Sequence, residues 1–268
     1  MWTRCRSSTK CKKKTALTSG IGSGLVVATL LSSVMSAHAK DWDFIVAPYV
    51  LVPSIEGTAS ARRIEDAGVN VDPVDILKAL NLGGMLHLEA RHVSNFGIAL
   101  DYSFMDLSDG ASLAGGAGSA DVDIFQGVFQ AYGTYRLKDE HETVDVYAGI
   151  RWWEIDVDLG VSGGPINANI RISDSWVDPV IGMRGTIPLG EGDWKLMWQG
   201  DVGGLGMGAD FTWNAQGGAL WEASDIFSLV LQYRALGVDR ETGTAGTSDR
   251  FTYDTITHGP IIGFAFKM

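Results

Sequence analysis

The sequence predicts an all-β fold: a closed antiparallel transmembrane β-barrel of about ten strands, with a short helix in its first long connection. Three observations carry that prediction. Apolar and polar residues alternate with period two through most of the chain after residue 40, as strands with two unlike faces require. No later run reaches the roughly eighteen apolar residues of a membrane-spanning helix. Connections are short at one end of the strands and longer at the other, the layout of barrels that cross a membrane.

The chain opens on a basic leader, Arg4, Arg6, Lys10, Lys12, Lys13 and Lys14, with no acidic residue. A mostly apolar or small stretch follows from Ala16 to Met35, and Ala37-His38-Ala39 supplies a small-x-small cleavage pattern. Residues 1–39 read as a secretory signal peptide. A retained anchor is the alternative, but Gly20, Gly22 and Gly24 dilute the apolar run. Residues 40–268 are then one barrel domain. Both cysteines, Cys5 and Cys11, fall in the leader, which excludes a disulfide framework or a thiol site from the remainder. Removing the six leader charges from 21 Lys+Arg leaves 15 against 32 Asp+Glu, a formal net charge of −17. So acidic a domain is a poor nucleic-acid binder.

The first strand lies near residues 41–52, where Pro48 lacks an N–H and suits a strand end or bulge. Residues 53–82 leave room for an extra hairpin. They also contain Asp72-Pro73-Val74-Asp75-Ile76-Leu77-Lys78-Ala79-Leu80, where an early Pro and the apolar set Val74, Ile76, Leu77 and Leu80 predict a short amphipathic helix. That helix caps the rim, plugs the lumen or packs under a loop, with packing preferred. Beyond it Leu86, Leu88 and Ala90 alternate with His87, Glu89 and Arg91, and Phe96, Ile98, Leu100, Tyr102 and Phe104 with Gly97, Ala99, Asp101 and Ser103. Phe125, Phe129, Ala131 and Tyr135 oppose Gln126, Gln130, Thr134 and Arg136; Val144, Val146, Ala148, Ile150 and Trp152 oppose Asp145, Tyr147, Gly149 and Arg151. The same split recurs with Val177, Ile181 and Met183 against Asp178, Gly182 and Arg184, and with Trp194, Leu196 and Trp198 against Lys195, Met197 and Gln199. It continues through Phe211–Trp221, Phe227–Leu236 and the final strand, where Ile256, Pro260, Ile262, Phe264 and Phe266 share a face.

Short polar turns are expected near residues 92–95, 138–143, 190–193 and 222–225, and long Gly- and Asp-rich loops near 108–120, 160–175 and 237–249. The short connection at 203–210 breaks this rule. Ten strands would place both termini at the short-turn, periplasmic rim; eight or twelve stay open.

A soluble barrel hides its apolar face inside. Here the face rich in Gly, Ser, Thr, Gln, Asp and Arg holds few large apolar residues to fill a core, while the other carries Trp194, Trp213, Trp221, Phe227, Phe96 and Phe104 near strand ends. Aromatic rings at both rims fit the girdles of transmembrane barrels. The closing Ile256–Met268 alternation resembles the C-terminal signal read by the barrel-assembly machinery, although the chain ends in Met268 with Phe266 two positions earlier.

Trp176-Val177-Asp178-Pro179-Val180-Ile181-Gly182-Met183-Arg184-Gly185 resembles a motif in a family of small, largely uncharacterised proteobacterial outer-membrane barrel proteins. So do Gly200-Asp201-Val202-Gly203-Gly204, Phe211-Thr212-Trp213, His258-Gly259-Pro260, Pro48-Tyr49 and Val74-Asp75-Ile76-Leu77. The resemblance covers most of the chain after the leader. It implies the fold and a place in the outer membrane of a Gram-negative bacterium, and brings no catalytic residue or substrate. The partners implied are outer-membrane lipids and lipopolysaccharide, with the barrel-assembly machinery during biogenesis.

Strand parity aims a charge network into the lumen: Glu89, Asp101, Asp145, Asp178 and Asp201 against Arg91, Arg136, Arg151, Arg184, Lys195 and Arg234, with His87 among them. Five acids against six bases should pair along the axis, because an unpaired ion in a partly dry interior is costly. Two functions follow from the same groups. A narrow channel or uptake port for small or apolar solutes would use them as its lining; a closed structural or surface-interaction barrel would use them as a plug. A small strand count favours a filled interior. A lipid-modifying enzyme is a third reading, with His87 beside Glu89 and Asp101 and with Ser103 as nucleophile. No metal-ligand spacing, phosphate loop or nucleophile elbow is present, so neither a metal nor a cofactor is expected.

Overall fold

The computed structural model describes residues 41–268, apart from 62–63, 113–118, 140–141, 164–165, 245–246 and 248–249. The leader read at 1–39 lies outside the described residues. The elements are β1 (Trp42–Leu51), β2 (Ser54–Ala61), β3 (Ile64–Val71), α1 (Pro73–Ala79), β4 (Leu80–His92), β5 (Phe96–Ser112), β6 (Ser119–Asp139), β7 (Thr143–Gly163), β8 (Ile166–Pro188), β9 (Trp194–Gly204), β10 (Phe211–Ser224), β11 (Phe227–Thr242) and β12 (Phe251–Lys267).

β1 and β4 to β12 form the closed ring of ten antiparallel strands that the alternation predicts. Closure is made by β1 on β12, with Val46 opposite Phe266 and Leu51 opposite Ile261. β2 then continues along the same partner, Ser54 opposite His258. The register runs through the break without a slip, and Val52 N still donates to Pro260 O at 3.0 Å. Pro53, which has no N–H to give the ladder, divides what is geometrically one strand. The extra hairpin left open in the sequence is therefore real: β2 pairs with β3, and together they widen the sheet to twelve strands at the end away from the barrel's termini. Pro48 sits within β1 rather than at its end, at the last residue of the β1–β4 ladder.

α1 is capped by Asp72, whose carboxylate accepts from Val74 N and Asp75 N at 2.9 and 3.0 Å, with Pro73 in the first turn where its missing N–H costs nothing. Ile76 is buried against Ile55 of β2 and Met105 and Leu107 of β5, so the helix packs on the inner wall of that end. Val74 and Leu77 stay exposed.

Much of the long loops expected near 108–120 and 160–175 is strand, and β11 runs on to Thr242 in the third, expected near 237–249. β5 pairs with β6 as far as Ser112–Ser119, and β7 with β8 as far as Gly163–Ile166. Their Gly and Asp content reads as loop, yet the period of two persists with its polarity reversed. Below, Ile150 and Trp152 face out and Arg151 faces in; above, Glu154 and Asp156 face out while Trp153 and Ile155 are buried. Apolar-out, polar-in marks the wall against lipid, and polar-out, apolar-in marks a wall standing in water. The reversal on β5 between Phe104 and Asp106 and on β11 between Gly237 and Asp239 sets the same level.

Between the two levels the outer face is apolar and edged by aromatic contacts. Phe96–Tyr135, Trp194–Trp221 and Phe227–Phe266 meet at centroid distances of 4.9, 6.1 and 5.5 Å at the lower rim. Phe104 stacks with Tyr102 and Phe125 at the upper one. Such pairs contribute about 0.5–1.5 kcal/mol each beyond their buried area. Among the described residues no helix is long and apolar enough to cross a membrane; the strands do so instead.

Candidate functional site in the lumen

The inward side chains form three layers. The layer nearest the termini is a cavity of about 480 Å3, bounded at its mouth by Asp43, Lys267 and the Lys195–Glu222 pair at 2.8 Å. Thr143 and Thr186 join hydroxyls across β7 and β8 at 2.8 Å beside it.

Above the mouth lies a belt of charge. Asp145 accepts from Arg136 Nε at 2.6 Å and from Arg184 Nε at 3.2 Å, with Arg91 Nη2 at 3.5 Å. Glu89 accepts from Arg91 at 2.5 Å and Arg184 at 2.7 Å. Three guanidiniums from β4, β6 and β8 thus share two carboxylates from β4 and β7. His87 turns one ring nitrogen to Glu89 at 3.5 Å and the other to Asp101 at 3.3 Å. Tyr49 donates to Asp101 at 2.9 Å, and Arg234 lies 3.9 Å from the same carboxylate. With both His87 nitrogens on carboxylates, neither is left for Ser103, so the hydroxyl has no base from this histidine.

Arg151, fully buried, sits one step higher. It donates to Gln130 Oε1 at 2.9 Å, Thr212 Oγ1 at 3.0 Å and Asp201 at 2.7 Å. Asp201 also accepts from Tyr147 at 2.8 Å and Asn214 at 3.2 Å. Asn214 in turn accepts from Arg234 Nε at 3.1 Å, while Arg234 Nη2, also buried, has no hydrogen-bond partner among the described residues. A low-dielectric interior strengthens such a network only while each member is paired. Tyr132 packs tilted against Tyr147, ring centroids 4.7 Å apart, and Arg184 lies 5.9 Å over the Tyr132 ring. Tyr132 fits because residue 149 opposite it is glycine: a Cβ there would stand 2.1 Å from Ala131 O and 2.6 Å from Tyr132 Cβ.

The third layer is apolar and corrects the expectation that the inward face has little with which to fill a core. Trp153, Ile155, Trp176, Val128, Leu236 and Val238 form a buried cluster across the half of the lumen away from the barrel's termini. The indoles of Trp153 and Trp176 stack at 5.7 Å and 14°, and Arg240 covers Trp176 at 4.6 Å. The connection at 203–210 folds inward to complete this plug, burying Ala209 completely. Asp178 holds it, accepting from Ala209 N at 2.6 Å and from Trp176 Nε1 at 3.1 Å, while Arg240 donates to Gly208 O at 2.6 Å. A Cβ at residue 208 would stand 2.3 Å from Val177 O, so only glycine lets the turn seat this deeply.

The predicted charges therefore divide. His87, Glu89, Arg91, Asp101, Arg136, Asp145 and Arg184 line the cavity together. Arg151, Asp201 and Arg234 tie the belt to its roof, Lys195 serves the mouth, and Asp178 anchors the plug. Tyr49, Gln130, Tyr132, Tyr147 and Asn214, which complete the network, are not among the predicted residues. Parity alone places Tyr147 and Gln130 inward; nothing in the sequence says which acid each would meet.

No protein-family model matches the sequence, and comparison with curated proteins finds no match. Among solved structures the outer-membrane protease OmpT from Escherichia coli superposes with a TM-score of 0.56 at 9% identity, covering 87% of this chain and 98% of that one. The translocator domain of the autotransporter NalP from Neisseria meningitidis gives a TM-score of 0.48 at 12% identity, covering 91% and 94%. A major outer-membrane protein from Thermus thermophilus gives 0.43 at 14%, covering 85% and 99%. Ten closed strands, an apolar outer wall and a polar lumen define a protein of the outer-membrane β-barrel class. At these identities the likeness is one of fold.

Proposed function

We propose that this chain is an integral outer-membrane protein whose lumen is a blind vestibule open to the periplasm, not a standing pore. On this reading the 1–39 leader is removed on export and the barrel-assembly machinery inserts the barrel among outer-membrane lipids and lipopolysaccharide. The resemblance of Trp176–Gly185 to small proteobacterial outer-membrane barrels supports that location. The observation that carries the reading is the plug: Trp153, Trp176, Leu236 and Val238 close the extracellular half of the lumen while about 480 Å3, lined by the charge belt, stays open beneath them.

Single-channel recording in planar bilayers tests it. The folded wild-type barrel is expected to be electrically silent. Replacing both indoles, Trp153→Ala with Trp176→Ala, should yield discrete steps. Steady ohmic conductance from the unmodified barrel would instead establish the narrow channel, with Arg184 and Asp145 as its constriction.

A further inference from the structure

The barrel wall carries a seam. The ladder of β1 with β4 ends at Pro48 opposite Leu86. Both strands run on, β1 along β12 to Leu51 opposite Ile261 and β4 along β5 to Leu80 opposite Leu107. Past Pro48 they therefore part. Leu51 N, instead of meeting a carbonyl of β4, donates to the Met85 thioether at 3.1 Å, a weak acceptor. The parting begins inside the lipid-facing band, because Leu86 stops two residues short of Gly84, the partner of Phe104 at the upper aromatic rim. Its outer lips, Val50 on β1 with Leu82 and Leu86 on β4, are exposed. Further up, β3 pairs with β2 alone among the described residues. There the gap is closed by α1, through the contact of Ile76 with Ile55, Met105 and Leu107. A barrel wall in hydrocarbon pairs its strand edges, so a parting at this depth is a departure with a cost.

Behind the seam lies a void of about 30 Å3. Leu51 and Pro53 line it from one lip, and Met85, Ser103 and Met105 from the other. Val128 and Leu236 of the plug bound it, and Gln126, Thr257 and Arg234 complete its inner side. Arg234 also lines the large cavity, so the void sits where seam, plug and vestibule meet.

We propose that the seam is a lateral gate, with α1 as its leaf, through which a small uncharged apolar solute dissolved in the bilayer enters the lumen beneath the plug and passes Arg234 into the vestibule. The inference rests on the blind-vestibule reading, in which the plug shuts the axial route. The void as it stands has about the volume of one water, so passage requires α1 to swing off Met105 and Leu107. Met85 and Met105 are unbranched and adapt to solutes of varied shape. Ser103, Gln126, Thr257 and Arg234 offer hydrogen bonds to a polar group as the solute leaves lipid. A charged solute does not dissolve in the hydrocarbon from which the seam is entered.

The test is photolabelling of the protein in phospholipid vesicles with trifluoromethyl-(iodophenyl)diazirine, an uncharged arene that dissolves in the bilayer, with labelled residues read by mass spectrometry. Outward Val50, Leu86 and Leu100 should be labelled in every variant and serve as the internal standard. Inward Met85, Met105 and Leu236 should be labelled as well, and excess iodobenzene should compete at these three. Ile76→Cys with Leu107→Cys is made with Cys5→Ser and Cys11→Ser, so that no other thiol is present. Reduced, it should label inward at least as strongly as the wild type; bridged by a short bis-thiosulfonate, it should lose the inward labels alone. Ile76→Ala, which loosens α1 without a crosslink, should raise initial inward labelling about tenfold or more. A heat-dependent gel shift confirms that each variant is folded. Inward residues left unlabelled in the folded wild type, inward labels that persist after bridging, or no rise in Ile76→Ala overturns the gate. Inward labels obtained only with a phospholipid bearing the diazirine on its acyl chain would make the occupant a lipid and overturn the solute. Conductance of the same preparation separates the two ideas. A silent barrel whose lumen stays unlabelled loses only the gate; a conducting one loses the blind vestibule.

Discussion

Replacing Asp178 with alanine should unseat the inward-folded turn at 203–210 while the ring of strands stays closed. The carboxylate is fully buried and accepts two N–H groups, from Ala209 at 2.6 Å and Trp176 at 3.1 Å. Trp176 and Ala209 are themselves buried, so both donors would be orphaned. Each stranded donor costs about 1–3 kcal/mol, or about 2–6 kcal/mol for the pair. The turn keeps two other tethers, Arg240 to Gly208 O at 2.6 Å and Glu241 N to Asp210 Oδ2 at 3.0 Å, so it should open locally rather than unfold the barrel. Arg151, paired across the ladder with Asp178 in register, keeps its ion pair with Asp201. Hydrogen–deuterium exchange of the peptide covering 203–210 is the assay, run beside the temperature at which the unboiled gel band converts to the unfolded one. Protection of the turn should collapse in Asp178→Ala and fall less in Asp178→Asn, which keeps an acceptor oxygen. Unchanged protection in Asp178→Ala would refute the assignment of this carboxylate as the anchor of the plug.

Three further outcomes are expected. Arg151→Met strands the carboxylate of Asp201 in a dry layer and should lower stability by about 3–5 kcal/mol in denaturant titrations, much of it recovered when Asp201→Asn is added. Gly149→Val drives a side chain into Ala131 O and the Tyr132 side chain, so the variant should fail to give a heat-shifted folded band. Ile76→Ala empties the contact of α1 with Ile55, Met105 and Leu107 and should cost about 2–5 kcal/mol. That loss should appear as protease cleavage within 72–80 of an otherwise intact barrel.

The ring of ten strands was legible because lipid enforces one polarity on every strand it touches. Phe96, Ile98 and Leu100 could be sorted from Gly97, Ala99 and Asp101 without knowing any partner. The strand extensions beyond the lipid-facing band were harder to see because the rule inverts there. Asp123, Glu154, Asp156 and Asp239 look like loop residues to a reader expecting apolar outer faces, although Ile124, Ile155 and Val238 keep the same period. Trp153 was the missed signal: adjacent to outward Trp152, it must face inward, where no polar lumen explains an indole. Which charges would pair was not legible either. Parity supplies direction but not height, and the cross-lumen contacts of Glu89 with Arg184 and Arg151 with Asp201 depend on the shear of the closed ring. Asp178 faces inward as expected, yet its partner is the backbone of Ala209, and no side-chain pattern encodes that.

The way β12 is shared bears on the order in which the molecule is made. Nearly every other ladder joins strands that follow one another in the chain and can zip up as hairpins. The pairings of Val46 with Phe266 and Ser54 with His258 instead bring together residues some two hundred positions apart. Such contacts carry the largest loop-closure entropy and form last. One C-terminal segment meets β11 on one side and both β1 and β2 on the other, so until residues 251–267 dock the sheet has two open edges that lipid cannot solvate. A chain truncated before β12 should accumulate as an unclosed, protease-sensitive sheet, which makes the last strand the committing step of biogenesis.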